Sequence, residues 1–126
     1  MSSLTGKTAF VSGGTRGIGL AIAKRLAREG VDIMVAGSSE ANCLAATKAI
    51  AAQSDGRIEA HATDLRTLEG CKAVFCAQNK AFGACDIFVH SAGATRGGVF
   101  PEQDDTDFID GFALKFHAGV RLSRLF

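Results

Sequence analysis

Tryptophan and tyrosine are both absent from this 126-residue chain, and proline occurs once. Without tyrosine, no mechanism can use a phenol hydroxyl of this chain to deliver a proton. Long apolar runs are missing as well. Stretches such as Ala9-Phe10-Val11 and Ile33-Met34-Val35-Ala36 fall far short of the roughly 20 residues that cross a bilayer. Nor is there an excess of one charge: Lys plus Arg is 14 and Asp plus Glu is 13, a net charge of +1. Such a balance offers no basic field to nucleic acid or to an anionic membrane, so neither is an expected partner. The first residues, Met1-Ser2-Ser3-Leu4-Thr5-Gly6, lack the apolar segment and cleavage site of an export signal, and the expected location is cytoplasmic.

Cysteine is sparse: Cys43, Cys71, Cys76 and Cys85 are the only four. In a reducing compartment they read as small core residues rather than a disulfide framework, and their gaps do not match paired zinc spacing, so no metal is expected. What the chain does have is 47% hydrophobic residues against 21% charged, enough for one globular unit.

Short apolar runs alternate with longer amphipathic stretches, the pattern of βα units wound about a parallel sheet. Thr8-Ala9-Phe10-Val11 reads as a strand covered on both faces. Ile18, Ile22 and Leu26 then recur as the apolar stripe of a first helix that stops at Gly30. Val31 to Ala36 is a second strand, after which Ser38 or Ser39 caps an Ala-rich helix that ends near Gln53. Ile58 to Ala62 is a third strand, and Leu68, Cys71, Phe75 and Phe82 share one side of a helix that stops at Gly83. Ile87-Phe88-Val89 is the fourth. A loop of small residues, 91–98, comes next, and from about Thr106 to Phe126 the residues Ile109, Phe112, Phe116 and Val120 form a final stripe. The expected architecture is α/β, a Rossmann-type doubly wound parallel sheet in α-β-α layers. After about four βα units no stop chemistry succeeds Leu125-Phe126, so the domain is expected to be cut.

Between the first strand and helix lies Ser12-Gly13-Gly14-Thr15-Arg16-Gly17-Ile18-Gly19. A dinucleotide site needs glycine for a tight turn, for close approach of backbone to pyrophosphate and for close helix packing, and Gly13, Gly17 and Gly19 suit these in turn. The helix beginning there offers free amides and a positive dipole end to phosphate. The spacing G-x-x-x-G-x-G departs from G-x-G-x-x-G at Ile22, and Leu20 stands where a triphosphate-binding loop needs lysine.

With its strand and helix context, this segment resembles the short-chain dehydrogenase/reductase family, which carries T/S-G-x-x-x-G-I-G here. Thr63-Asp64-Leu65 and Asp86-Ile87-Phe88-Val89-His90-Ser91-Ala92-Gly93 extend the likeness, and Phe108 to Leu122 aligns with the family's next helix. The resemblance implies that residues 1–126 form a single NAD(P)-binding Rossmann domain, the N-terminal part of the family fold. It places Gly13, Thr15, Arg16, Gly17, Ile18 and Gly19 at the phosphates, and Asp64 and Leu65 at the adenine. His90, Ser91, Ala92 and Gly93 fall beside the nicotinamide ribose. His90 and Ser91 replace two asparagines of the family segment, and Lys115 stands where the family's helix asparagine aligns; no catalytic role is assigned to it.

The second strand ends Ala36-Gly37-Ser38-Ser39, without the acid that bonds a free ribose 2′-hydroxyl. Arg16 can pair with a 2′-phosphate while Ser38 and Ser39 donate hydroxyl hydrogen bonds. NADP(H) is therefore favoured over NAD(H). Plainer readings stand beside these: Arg16 as a solvated cation, Asp64 as a turn or capping residue, His90 as a satisfied strand-end histidine, and Phe108, Phe112 and Phe116 as core or subunit interface.

The family's proton donor is a Tyr-x-x-x-Lys pair, which this chain lacks, so no catalytic residue is assigned. The first reading is the N-terminal half of an oxidoreductase that moves a hydride between NADP(H) and a carbonyl or alcohol substrate, inactive in this form. The alternative is a catalytically inactive NAD(P)-binding module or subunit completed by another chain. A methyltransferase is a distant third, because Gly37 stands where an acid would bond the ribose. Family likeness and an exposed sheet edge imply a homo-oligomer.

Overall fold

The computed structural model describes residues 3–94 and 97–126. Thr95 and Arg96, in the loop of small residues anticipated after the fourth strand, lie outside the described residues. Four parallel strands, β1 (Thr8–Ser12), β2 (Asp32–Gly37), β3 (Ile58–Ala62) and β4 (Ile87–His90), stand in the order β3-β2-β1-β4. Their register sets Val11 opposite Val35 and Val89, and Ser12 opposite Ala36 and His90. Helices α1 (Gly17–Arg28), α2 (Glu40–Ala51) and α3 (Leu68–Phe82) connect them. After β4 come a short 3-10 turn (Phe100–Glu102), α4 (Asp105–Phe112), a π-helical turn (Ala113–His117) and α5 (Ala118–Leu125). This is the Rossmann-like layering anticipated from the alternation of strands and amphipathic segments.

Alternation along the strands divides the core. Ala9, Val11, Ile33 and Val35 face Ala23 and Ala27 of α1 and Ala46 and Ile50 of α2. Phe10, Met34 and Ala36 face Cys71 and Val74 of α3 and Ala118 and Leu122 of α5. Period-two alternation with both faces covered is what a parallel sheet requires. Each fully buried large side chain, Phe10 and Ile33 among them, contributes about 1.5–3 kcal/mol.

Two expected apolar stripes are corrected, and a third faces outward. On α1 the buried line is Gly19, Ala23 and Ala27, not Ile18, Ile22 and Leu26; Ile18 is 77% exposed, while Ile22 and Leu26 are half-buried. A Cβ on Gly19 would lie 2.2 Å from the Gly13 carbonyl oxygen, so the helix sits too close to the loop for large side chains. On α3 the line is Gly70, Cys71, Val74 and Gln78. Leu68 is exposed, Phe75 and Phe82 are half-buried, and Arg57 stacks on the Phe82 ring at 4.8 Å. The cause is again a glycine, since a Cβ on Gly70 would lie 1.9 Å from the Asp64 carbonyl oxygen.

The third stripe, Ile109, Phe112, Phe116 and Val120, exists but faces outward, with Phe112 62% exposed. A π turn holds more residues per turn than an α-helix and so rotates the helical segment beyond it. Ala118 and Leu122 are thereby buried, and Phe126 stacks on Phe10 (4.7 Å) and Phe88 (5.8 Å). The core alternative for Phe108, Phe112 and Phe116 does not hold within this chain. The cysteines divide too: Cys43 and Cys71 are buried, Cys85 is half-buried and Cys76 is exposed. Burial pushes the thiols of Cys43, Cys71 and Cys85 above their ordinary range. Among the described residues no helix is long and apolar enough to cross a membrane.

Candidate functional site

The carboxyl ends of β1, β2 and β4 open into a crevice of about 1120 Å3. Its position is set by topology: β1 lies between β2 and β4, so the loops leaving these strands diverge above it. Of the residues singled out in the sequence, Gly13, Thr15, Arg16, Gly17, Ile18 and Gly19 line it from the loop, and Ser38, Asp64 and Leu65 from the β2–β3 side. His90, Ser91, Ala92 and Gly93 line the β4 side. Ser39 does not. Its Oγ caps α2 by accepting from the Asn42 amide at 3.0 Å.

The glycine loop is a cradle with three distinct demands. Gly13 holds a φ of +66, and a Cβ there would stand 2.7 Å from the Ala92 Cα. Gly17 holds a φ of +58 but nothing lies within 4 Å of its would-be Cβ. Conformation requires glycine there, and the space beyond it is open to whatever fills the crevice. Gly19 provides the close packing already described. Arg16 is the N-cap of α1 and makes no side-chain capping bond, and no acid occupies the first turn. Among the described residues its guanidinium has no partner. The first amides of α1 therefore point into the crevice with the positive end of the helix dipole behind them.

Asp64 is committed locally. Its Oδ1 accepts from the Arg66 amide (3.0 Å) and Nε (2.9 Å), and its Oδ2 from Arg66 Nη2 (3.2 Å). The hydrogen bond from the Arg66 side chain holds this carboxyl below its ordinary value of 3.8, against the opposing effect of burial. Arg66 also reaches Asp110 at 3.5 Å. The turn role anticipated for Asp64 is thus present, beside a place in the crevice wall.

His90 is bonded at both ring nitrogens, Nδ1 to Ser12 Oγ (2.7 Å) and Nε2 to the Lys115 carbonyl (3.0 Å). Sequence reasoning missed Arg66, Asp107, Asp110 and Leu114, which also line the crevice with Lys115. Arg66 stands two residues after Asp64, a spacing that suits a turn ion pair and was the available signal. The two aspartates and Leu114 arrive only because α4 and the π turn fold back over the strand ends.

Residues 7–126 match the short chain dehydrogenase family. The chain is 40% identical over 118 residues to D-beta-hydroxybutyrate dehydrogenase of Cupriavidus necator, covering 90% of this chain and 45% of that protein. L-sorbose reductase from Gluconobacter frateurii, solved with NADPH and L-sorbose, superposes with a TM-score of 0.90 at 32% identity, over 97% of this chain and 46% of that one. A short chain dehydrogenase from Burkholderia cenocepacia, solved with NADP, gives a TM-score of 0.90 at 32% identity, over 97% and 50%. The chain therefore spans about half the length of the relatives it matches.

Proposed function

The chain belongs to the short chain dehydrogenase family, a family of NAD(P)-dependent oxidoreductases, and from that premise we propose that its crevice holds NADP(H). The uncapped first turn of α1 carries this reading. Amides without intrahelical partners, beside an open Gly17 and the unpartnered Arg16, fit a pyrophosphate. On the β2 side Arg16 and Ser38 meet a 2′-phosphate. With no acid at the end of β2, a free 2′-hydroxyl finds no carboxylate there. Asp64 and Leu65 flank the adenosine. With adenosine beside β2 and β3 and phosphate at the loop, the nicotinamide half extends toward His90, Ser91, Ala92 and Gly93. Two solved relatives that carry NADPH or NADP support the same choice.

When bound, the nicotinamide supplies or accepts a hydride. What residues 1–126 do, as one cytoplasmic dinucleotide-binding unit, is bind and orient it; the substrate of the whole protein is a carbonyl or alcohol compound. A proton donor in the family's Tyr-x-x-x-Lys form is absent from this chain, so the 126 residues alone turn over no substrate. That same absence favours, as the second reading, an NAD(P)-binding subunit completed by another chain. The exposed Ile109, Phe112, Phe116 and Val120 suit a second copy of the chain, testable by sedimentation.

Titration of the purified chain with NADPH and NADH tests the cofactor. Tighter binding of NADPH is expected; tighter binding of NADH would reverse the assignment.

A further inference from the structure

His90 closes a chain of hydrogen bonds whose direction is dictated by counting donors. Ser12 is fully buried at the end of β1, and its Oγ accepts from the Ser91 amide (3.0 Å) and the Ala92 amide (3.3 Å). With both lone pairs taken, the hydroxyl has one hydrogen left to donate. His90 Nδ1 lies 2.7 Å away and the Val89 carbonyl 3.4 Å, and the shorter contact takes it. Nδ1 is then the acceptor, and the neutral ring carries its proton on Nε2. That nitrogen faces the Lys115 carbonyl at 3.0 Å, a group that can only accept.

One glycine reserves the space for this arrangement. A Cβ on Gly119 would lie 3.0 Å from His90 Cδ2 and 3.2 Å from Nε2, so the ring rests on bare backbone of α5. On the crevice side the Lys115 stem lies over Gly93, where a Cβ would stand 3.5 Å from Cε and 3.6 Å from Cδ. The bonds thus run from the end of the sheet, through the imidazole, to the π turn whose side chain roofs Gly93.

We propose that His90 is a positioning residue for the nicotinamide half of the dinucleotide. By holding the Lys115 carbonyl, it sets the distance at which the Lys115 stem and Gly93 form the β4-side wall of the crevice. This rests on the dinucleotide reading above, and two measurements separate the fates of the two claims.

The first is nitrogen NMR of the histidine rings in the unaltered chain, where the His90→Phe variant identifies the His90 signal among the three histidines. A neutral ring protonated at Nε2 at pH 7.5 is expected; any other protonation pattern overturns the proposal. The second compares NADPH with 2′,5′-ADP, which lacks the nicotinamide half. In His90→Phe, and independently in Gly119→Ala, NADPH affinity should fall about tenfold while 2′,5′-ADP affinity stays within about twofold. Equal losses for both ligands, or no loss for either, overturn the proposal. If the unaltered chain binds neither ligand, the dinucleotide reading itself fails and takes this one with it. Should His90→Phe not fold, Gly119→Ala still decides the binding split, and the one histidine resonance it shifts identifies the ring.

Discussion

Gly19 of α1 and Gly70 of α3 stand at the same place in their helices, three residues after the N-cap, and each presses against a carbonyl of the preceding loop. There the two helix starts part. Thr67 caps α3, its Oγ1 accepting from the Gly70 amide at 3.0 Å, while Arg16 gives α1 no side-chain acceptor. Ser39 completes α2 in the manner of Thr67. Thr67 and Ser39 each satisfy an amide of their own helix, whereas the first turn of α1, beneath the crevice, has no side-chain acceptor.

The largest expected effect separates binding from folding at the open end. In Gly17→Val, NADPH binding should weaken by at least about a hundredfold, because the side chain fills the space the backbone offers, while the φ penalty costs about 1–2 kcal/mol of stability. Calorimetric titration beside a urea melt reads both, and unchanged affinity would remove the loop from the site.

Next come the two buried glycines. Gly70→Ala should destabilise by about 1–3 kcal/mol through overpacking against backbone, and Gly19→Ala by a similar amount. Only Gly19→Ala should also lose NADPH binding in the folded fraction. The opposite assignment would break the comparison between the two helices.

Exchanging the caps sharpens it further. Thr67→Ala should lower stability by about 1 kcal/mol with no change in NADPH affinity. Arg16→Asp should stabilise α1 by a few tenths of a kcal/mol or more and weaken NADPH more than NADH, since it fills the amides and repels the 2′-phosphate. A gain in NADPH affinity would contradict the cradle.

The smallest effect concerns Asp64. Its folded-state carboxyl titrates below the ordinary value of 3.8 because Arg66 donates hydrogen bonds to it. A depressed carboxyl stabilises the fold above its unfolded value, and the contribution disappears as pH falls from about 4 through the folded value. The pair is half-exposed, so solvent and salt keep the contribution small. In Arg66→Ala the Asp64 titration, followed by carboxyl NMR, should move up toward the ordinary value; no movement would deny the pairing.

Much of this arrangement was legible in the residues. Gly13, Gly17 and Gly19 carry their roles in their spacing, and Ser39 and Gly83 mark helix ends because capping is local chemistry. The helix faces were less legible. Periodicity favours the largest apolar side chains, so it selected Ile18 and Leu68, whereas close packing of Gly19 and Gly70 turned the small-residue faces inward. Lys115 and Asp110 escaped as crevice residues for a different reason: their neighbours there, Gly93 and Arg66, lie far away in the chain, where no local pattern joins them.

By itself the sequence determined the alternation of strands and helices, the glycine loop and the missing phenol, since each depends on residue type and short-range spacing. Only the tertiary structure decided that the stripe from Ile109 to Val120 faces outward, that Phe126 stacks on Phe10, and that His90 is bonded from both sides. Those outcomes depend on where α4, the π turn and α5 pack and on contacts between segments far apart in the chain. No window along the polypeptide contains both partners of such a contact.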